Sequence, residues 1–277
     1  MKIGFITGKD DEISLYKDIN KLVPNKYYEN GNVHTDIALA YLIKSRFVGV
    51  DVDIITPKEI SNQRLKKNDI NFVIGYDIIN VINDDPPVKQ FTGQIGLEKL
   101  DNIYQSISNK LFPSYPFMSF LWDKKKYLQH LEKNKIPISP TIFIKKNVKT
   151  QDLLKKIKLK KWKNFIIKPI GGTIAYGLGI FNTNECSQNI SLLDDYFDEE
   201  NKYYDEYLVQ EKIEGFSKFG EIKTFWIDGK LSYAVNTPGA TSPGETYVVK
   251  EEIKPDVLNH CEKIGKKIFE TLPKIPF

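Results

Sequence analysis

The sequence predicts an α/β chain that becomes α+β in its C-terminal part, and three observations predict it. Short apolar, β-prone runs alternate with segments of helical period over roughly the first hundred residues. A glycine-rich stretch, Pro169–Gly179, then lies between two strand-like runs rather than ahead of a helix. Further on, Asp228-Gly229 separates two apolar runs in the manner of a β-hairpin. Strands alternating with helices form a parallel sheet covered on both faces, whereas hairpins build antiparallel sheet.

Each element follows in order. Lys2–Thr7 (KIGFIT) is apolar and closed by Gly8, a buried first strand. Val33–Phe47 carries Ile37, Ala38, Tyr41 and Leu42 at helical spacing. Val50–Thr56 before Pro57, and Asn71–Gly75, read as the second and third strands, and Asp84–Pro87 as a loop. Residues 1–113 are therefore expected to form a Rossmann-like N-terminal domain. Pro113–Pro116 reads as a linker. Asp123 is placed to cap a helix bearing Tyr127, Leu128 and Leu131 on one face, which Ile136-Pro137 to Pro140 ends. Thr141–Ile144 is a strand, Thr150–Lys160 a helix, and Asn164–Lys168 a strand that runs into the glycines. Leu178–Phe181 resumes strand character, Asn189–Glu200 reads as a helix and Tyr207–Ile213 as another strand. Ile222–Ile227 and Leu231–Val235 flank the Asp-Gly turn. Asn236–Gly244 is a loop by composition, and Asp256–Glu270 an amphipathic helix with Val257, Cys261, Ile264 and Ile268 on one stripe.

Composition narrows the classes. Hydrophobic residues make up 41% of the 277, enough to bury a core, which excludes a disordered chain. A net charge of +4 suits an anionic ligand such as a nucleotide and is too small for a nucleic-acid partner. Two cysteines, Cys186 and Cys261, have no paired spacing and read as packing residues, and three histidines lie far apart. Disulfide, zinc and His-dependent triad chemistry are not expected. No apolar run reaches the roughly 18–20 residues of a membrane span, and the N-terminus does not read as a secretory signal. The expected setting is cytoplasmic and reducing.

Three blocks can carry chemistry. In the first, Phe165–Phe181, a strand delivers Lys168 to a loop containing Gly171, Gly172, Thr173, Gly177 and Gly179. Glycines let backbone N–H groups approach phosphate oxygens, and a lysine supplies a point charge. No Gly-Lys-Ser/Thr follows, and the next element is a strand, so this is neither a Walker loop nor a dinucleotide fingerprint. A plain flexible hairpin has the same composition. In the second block, Gln210-Glu211-Lys212-Ile213 ends a strand whose backbone can meet a purine edge. Glu221 follows, suited to a ribose hydroxyl pair, with Lys223 on the same strand face by period-two geometry. A solvated charged strand is the plainer alternative. In the third block, Phe120–Tyr127, Lys124 stands in the first turn of a helix, where the dipole disfavours a cation. A functional reason competes there with a solvated Lys124–Lys126 patch.

The order of these blocks resembles the ATP-grasp superfamily over nearly the whole chain. The features that carry the resemblance are Lys124, then Lys168-Pro169 with Gly171–Gly179, then Gln210–Ile213, then Glu221-Ile222-Lys223 through Asp228-Gly229-Lys230. The glutathione-synthetase-like and ribosomal-protein-modifying ligase branch is the most similar. The resemblance implies an ATP-grasp fold of two α+β subdomains, residues 114–206 and an incomplete 207–277, behind the N-terminal domain. It implies ATP and Mg²⁺ as cofactors. Lys124 and Lys168 would contact phosphates, covered by Gly171, Gly172, Thr173, Gly177 and Gly179. Gln210, Glu211, Lys212 and Ile213 would hold adenine, with Glu211 and Ile213 making the hinge contacts. Glu221 would bind ribose, and Lys223 would act catalytically on phosphate or acyl-phosphate oxygen. The family usually has Arg at that last position, and Lys cannot make its two-pronged contact. The family's magnesium carboxylates follow the final helix, and the expectation is a chain lacking that segment, with its metal ligands unassigned. The implied function is an ATP-dependent ligase joining a small-molecule or peptide carboxylate to an amine, or a thiol, through an acyl phosphate. The acceptor would sit between the N-terminal domain and the loop Asn236–Gly244. A kinase of the inositol-phosphate type and a non-catalytic nucleotide-binding protein are the alternatives.

Overall fold

The computed structural model of the chain describes residues 1–7, 13–56, 59–74, 97–171, 177–237 and 253–273. Gly8–Asp10, Gly75–Asp77, Asp84–Pro87, Gly172, Thr173 and most of the loop Asn236–Gly244 lie outside the described residues.

The first sheet is four-stranded. Strands β1 (Lys2–Ile6), β2 (Asp51–Ile55), β3 (Ile70–Val73) and β4 (Leu111–Phe112) run parallel in the order β2-β1-β3-β4. Side chains on a strand alternate between its two faces, so β1 divides its residues between two cores. Ile3 and Phe5 join Val23, Val33, Ile37, Ala38 and Ile54 on one face, beside helices α1 (Lys17–Asn20) and α2 (Thr35–Arg46). On the other face Ile6 joins Ile55, Leu65, Tyr104, Ile107 and Met118. The helices of that face are α3 (Asn62–Lys66), α4 (Leu97–Ser106) and α5 (Tyr115–Trp122). The sequence reading took residues 113–116 for a linker; Tyr115 instead opens α5, with Pro116 in the first turn, where a missing N–H costs nothing.

Next comes α6 (Lys124–Lys133), whose Asp123 cap accepts the Lys126 N–H at 3.0 Å. The second sheet is antiparallel: β5 (Thr141–Lys145), β6 (Asn164–Pro169), β7 (Gly179–Asn182) and β8 (Glu206–Glu211), in the order β5-β8-β6-β7. Helices α7 (Thr150–Leu159), α8 (Thr183–Gln188) and α9 (Ser191–Glu200) cover one face through Leu153, Ile157, Phe165, Ile167, Leu193, Phe197, Tyr207 and Val209. Strand β8, expected to open the segment 207–277, is hydrogen-bonded between β5 and β6 in the second sheet.

After β8 a short helix, α10 (Glu214–Phe219), leads to the hairpin β9 (Glu221–Ile227) and β10 (Lys230–Thr237). Asp228 and Gly229 turn it with φ of 50° and 67°, the paired positive values a tight hairpin needs. Trp226 packs on the last helix, α11 (Pro255–Thr271), where a Cβ on Gly265 would run into its indole ring. The same helix is tied back to α6: His130 Nε2 lies 2.7 Å from the Thr271 carbonyl oxygen, and Lys267 Nζ donates to the Lys135 carbonyl at 2.9 Å. These contacts set the hairpin over the second sheet.

Candidate functional site

One face of the second sheet is left half open. Along β6, Phe165, Ile167 and Pro169 are buried, while Asn164, Ile166 and Lys168 alternate with them and are only partly covered. On this face Leu208 packs with Leu128 of α6 and Ile170, and the cover reaches little further. Ile180 stands across from Ile166 and is 58% exposed, too much for a core isoleucine, so the pair forms an apolar floor beside Lys168. The sequence reading missed Ile166 and Ile180. The signal was the period-two alternation in Phe165–Lys168, which puts Ile166 on the face of Lys168.

Lys124 reaches the same place from the first residue of α6. Its Nζ donates to the Ile170 carbonyl at 3.2 Å, and the neighbouring Lys125 clamps the helix to β8 through Glu206 at 2.9 Å. Burial, reinforced by repulsion from Lys168, brings the Lys124 ammonium down to about 8 from 10.5. Burial also lowers Lys168, and the Glu221 carboxylate partly restores it. The two half-buried ammonium groups stand within electrostatic reach of each other. Their juxtaposition makes this face the candidate phosphate site.

Glu221 opens β9 after Gly220, and its own backbone carbonyl accepts the Thr237 hydroxyl at 3.2 Å. Lys223 lies on the same exposed face, with Nζ 4.0 Å from the Glu221 carboxylate. Phe225 and Tyr233 continue that face as a stacked pair, ring centroids 4.3 Å apart.

At the other end of the sheet the Gln210 side chain is buried and donates to Thr141 Oγ1 at 2.9 Å, which fixes β8 against β5. The Lys212 N–H donates to the Asn164 carbonyl at 3.0 Å, on the β6 side. Glu211 and Ile213 have backbone groups that point the opposite way, toward β5. A cleft of about 280 Å³ opens beside this strand end, between Lys163, Asn164, Glu211, Lys212, Ile213 and Glu214.

Of the glycine-rich loop, Gly171, Gly177 and Gly179 are described. Gly177 has φ +66°, and a Cβ there would strike the Pro169 ring and the Glu200 carboxylate. Its carbonyl accepts the Tyr196 hydroxyl at 2.6 Å, which anchors the end of the loop to α9. Gly179 starts β7 against Phe181 and Tyr196. The structure thus brings Lys124, Lys168, Glu221 and Lys223 together, and places Gln210–Ile213 along the same sheet. Among the described residues, no group of three or more His, Cys, Asp or Glu side chains could hold a metal ion.

No family model matches the sequence, and no curated protein matches it. Solved structures do match, over 98% of this chain. D-cycloserine synthetase aligns with a TM-score of 0.63 at 12% identity over 80% of its own chain. A RimK domain protein ATP-grasp from Sphaerobacter thermophilus DSM 20745 aligns at 0.60 and 11% over 82% of its chain. D-alanine–D-alanine ligase from Bacillus anthracis, complexed with ATP, aligns at 0.56 and 15% over 77%. A parallel α/β sheet, an antiparallel sheet with one open face and a hairpin set over that face, matched across almost the whole chain, give the conclusion: the chain has the ATP-grasp fold.

Proposed function

We propose that the chain is an ATP-dependent ligase that joins a carboxylate to an amine or thiol through an acyl phosphate. The observation that carries this reading is the pair of half-buried lysines, Lys124 and Lys168, close enough for the Lys168 charge to bear on Lys124, with the Glu221 carboxylate near Lys168. The fold-level neighbours include an ATP-bound ligase, which supports ATP as the anion.

In this reading the triphosphate neutralises Lys124 and Lys168, and the base lies along the Glu211–Ile213 strand end over the Ile166–Ile180 floor. Glu221 accepts the ribose hydroxyls, and Lys223, the most exposed of the cations, faces the reacting end. A substrate carboxylate oxygen attacks the terminal phosphorus, and ADP leaves. The amine or thiol then attacks the acyl carbon, expelling phosphate and giving up a proton. The protein acts by positioning and by fixed positive charge, with no covalent enzyme intermediate.

The test is ATP-dependent stabilisation of the chain and its loss in Lys168→Ala, followed by ADP release on mixtures of carboxylates and amines or thiols. Release that requires both substrates supports the ligase. Release on a hydroxylated compound alone would replace it with a kinase, and stabilisation without turnover on any pair would leave a nucleotide-binding protein.

A further inference from the structure

We infer that Glu206 is a positioning residue for the phosphate site, holding Lys124 beside Lys168 through Lys125. The inference rests on the nucleotide reading above and adds to it a residue that touches no part of the nucleotide.

The two phosphate lysines come from different elements. Lys168 is carried by β6, and pairing with β8 fixes it: Lys168 faces Leu208, and Pro169 faces Tyr207. One step further the Ile170 N–H donates to the Glu206 carbonyl at 3.0 Å, so the ladder runs on into the start of the glycine-rich stretch. Lys124 arrives from α6, which is no part of that sheet. Its ammonium stands on a flexible four-carbon stem, so its place depends on where the helix begins.

Three consecutive lysines open α6, where the helix dipole disfavours cations. Lys126 is matched within the cap, its Nζ 3.3 Å from Asp123 Oδ2. Lys125 is matched across the fold: its Nζ donates to both carboxylate oxygens of Glu206, at 2.9 and 3.2 Å. The two side chains are 33% and 34% exposed, so solvent and salt screen this pair less than a surface pair. Glu206 therefore acts twice, its carbonyl holding Ile170 and its carboxylate holding the first turn of α6. The Lys124 ammonium closes the ring by donating to the Ile170 carbonyl at 3.2 Å. Lys124, Ile170, Glu206 and Lys125 form a closed circuit, each link of which is a hydrogen bond, an ion pair or a peptide bond. Cutting the Lys125–Glu206 link loosens the start of α6 against β6, and with it the spacing of the two ammonium groups that a triphosphate must bridge.

Charge alone argues the opposite. A carboxylate near a phosphate site repels the ligand, so its removal should tighten binding. The two effects differ in sign, which makes the role testable.

The experiment is calorimetric titration with ATP of the wild type, Glu206→Gln and Glu206→Asp, each first shown to be folded by circular dichroism and melting. Glutamine keeps the length and removes the charge; aspartate keeps the charge and falls one methylene short of Lys125. Positioning predicts that both bind ATP about two- to tenfold more weakly, the worth of one net hydrogen bond. Repulsion alone predicts tighter binding by Glu206→Gln and no change in Glu206→Asp. A clamp that serves only stability predicts a lower melting temperature with unchanged ATP affinity. Either of these results would overturn the inference and leave the nucleotide site standing. In a Lys125→Met background the link is already cut, so Glu206→Gln should weaken ATP binding no further. An equal further loss there would show that Glu206 does not act through Lys125, and would also overturn it. Should Glu206→Gln not fold, Glu206→Asp alone decides. Failure of the wild type to bind ATP would remove the nucleotide reading, and the inference with it.

Discussion

Replacing Lys124 by methionine should stabilise the ligand-free protein while abolishing its response to ATP. Methionine keeps the length of the side chain and removes the charge. In the folded chain the Lys124 ammonium stands at about 8 against an ordinary 10.5. At about 1.4 kcal/mol per pKa unit this is an upper figure near 3 kcal/mol, and solvent screening of a half-buried group reduces it to about 1–3 kcal/mol. The lost bond to the Ile170 carbonyl, 3.2 Å in the wild type, and the loss of Lys124's other polar contact put the net gain toward the low end. For a chain of this size that is a rise in melting temperature of roughly 2–6 °C at pH 7. The sign with pH follows from linkage. The folded value lies below the unfolded one, so the unfolded chain holds more protons between about pH 8 and the ordinary lysine value of 10.5. Wild-type stability therefore recovers as pH rises through that window, and the penalty is fully present below it. The advantage of Lys124→Met should be complete at pH 7 and shrink steadily by pH 9.5. Tyrosine ionisation is common to both proteins and cancels in the difference. Thermal melting of both at pH 7, 8 and 9.5 reads this out. A variant less stable than wild type at pH 7, or a margin that does not change with pH, would refute the burial penalty, reinforced by Lys168, that lowers the Lys124 ammonium.

Two further outcomes test how the site is held. Gly265→Ala drives a Cβ into the Trp226 ring, so it should cost about 1–3 kcal/mol and shift the tryptophan emission as the hairpin leaves α11. Calorimetry and fluorescence would check it, and unchanged stability would mean that the hairpin does not seat there. In the first sheet, Arg64 bonds Asp53 at 2.9 Å and Glu59 at 2.7 Å. Burial, the largest single influence, would raise both carboxyls; the hydrogen bonds and charge of Arg64, joined by Asn68 at Asp53 and by Thr56 at Glu59, together exceed it and hold both below their ordinary values. Their contribution is present above the unfolded carboxyl values and is lost as pH falls through the folded ones, below about pH 4. Arg64→Gln should therefore destabilise the chain at pH 7 and converge with wild type in acid. A constant difference across that range would show that the network is not electrostatic.

The sequence carried the fold where local chemistry speaks for itself. The apolar runs of β1 to β3 are short and bounded by turn residues, the Asp228-Gly229 turn matches its φ values, and Asp123 caps α6. What escaped it has physical reasons. β4 is two residues long and has no period to detect. The apolar residues of α5, Tyr-Pro-Phe-Met-Ser-Phe-Leu-Trp, leave no polar stripe, and its proline suggests a break, although the first turn tolerates one. α8 and α10 are six residues each, below the length at which helical spacing stands out. At the site, Lys124, Lys168 and Glu221 were legible as residue types in order, because a fixed sequence of charges survives when identity is low. The apolar floor was not. Ile166 and Ile180 are ordinary strand residues until the sheet shows one of its faces uncovered.

The most direct measurement is a calorimetric titration of the chain with ATP, beside Lys168→Ala. The account predicts saturable one-to-one binding by the wild type and none by Lys168→Ala at the same concentrations, with both proteins folded before titration. Equal binding by the two would mean that the lysine pair is not the phosphate site, and no binding by the wild type at millimolar ATP would contradict the nucleotide cradle itself.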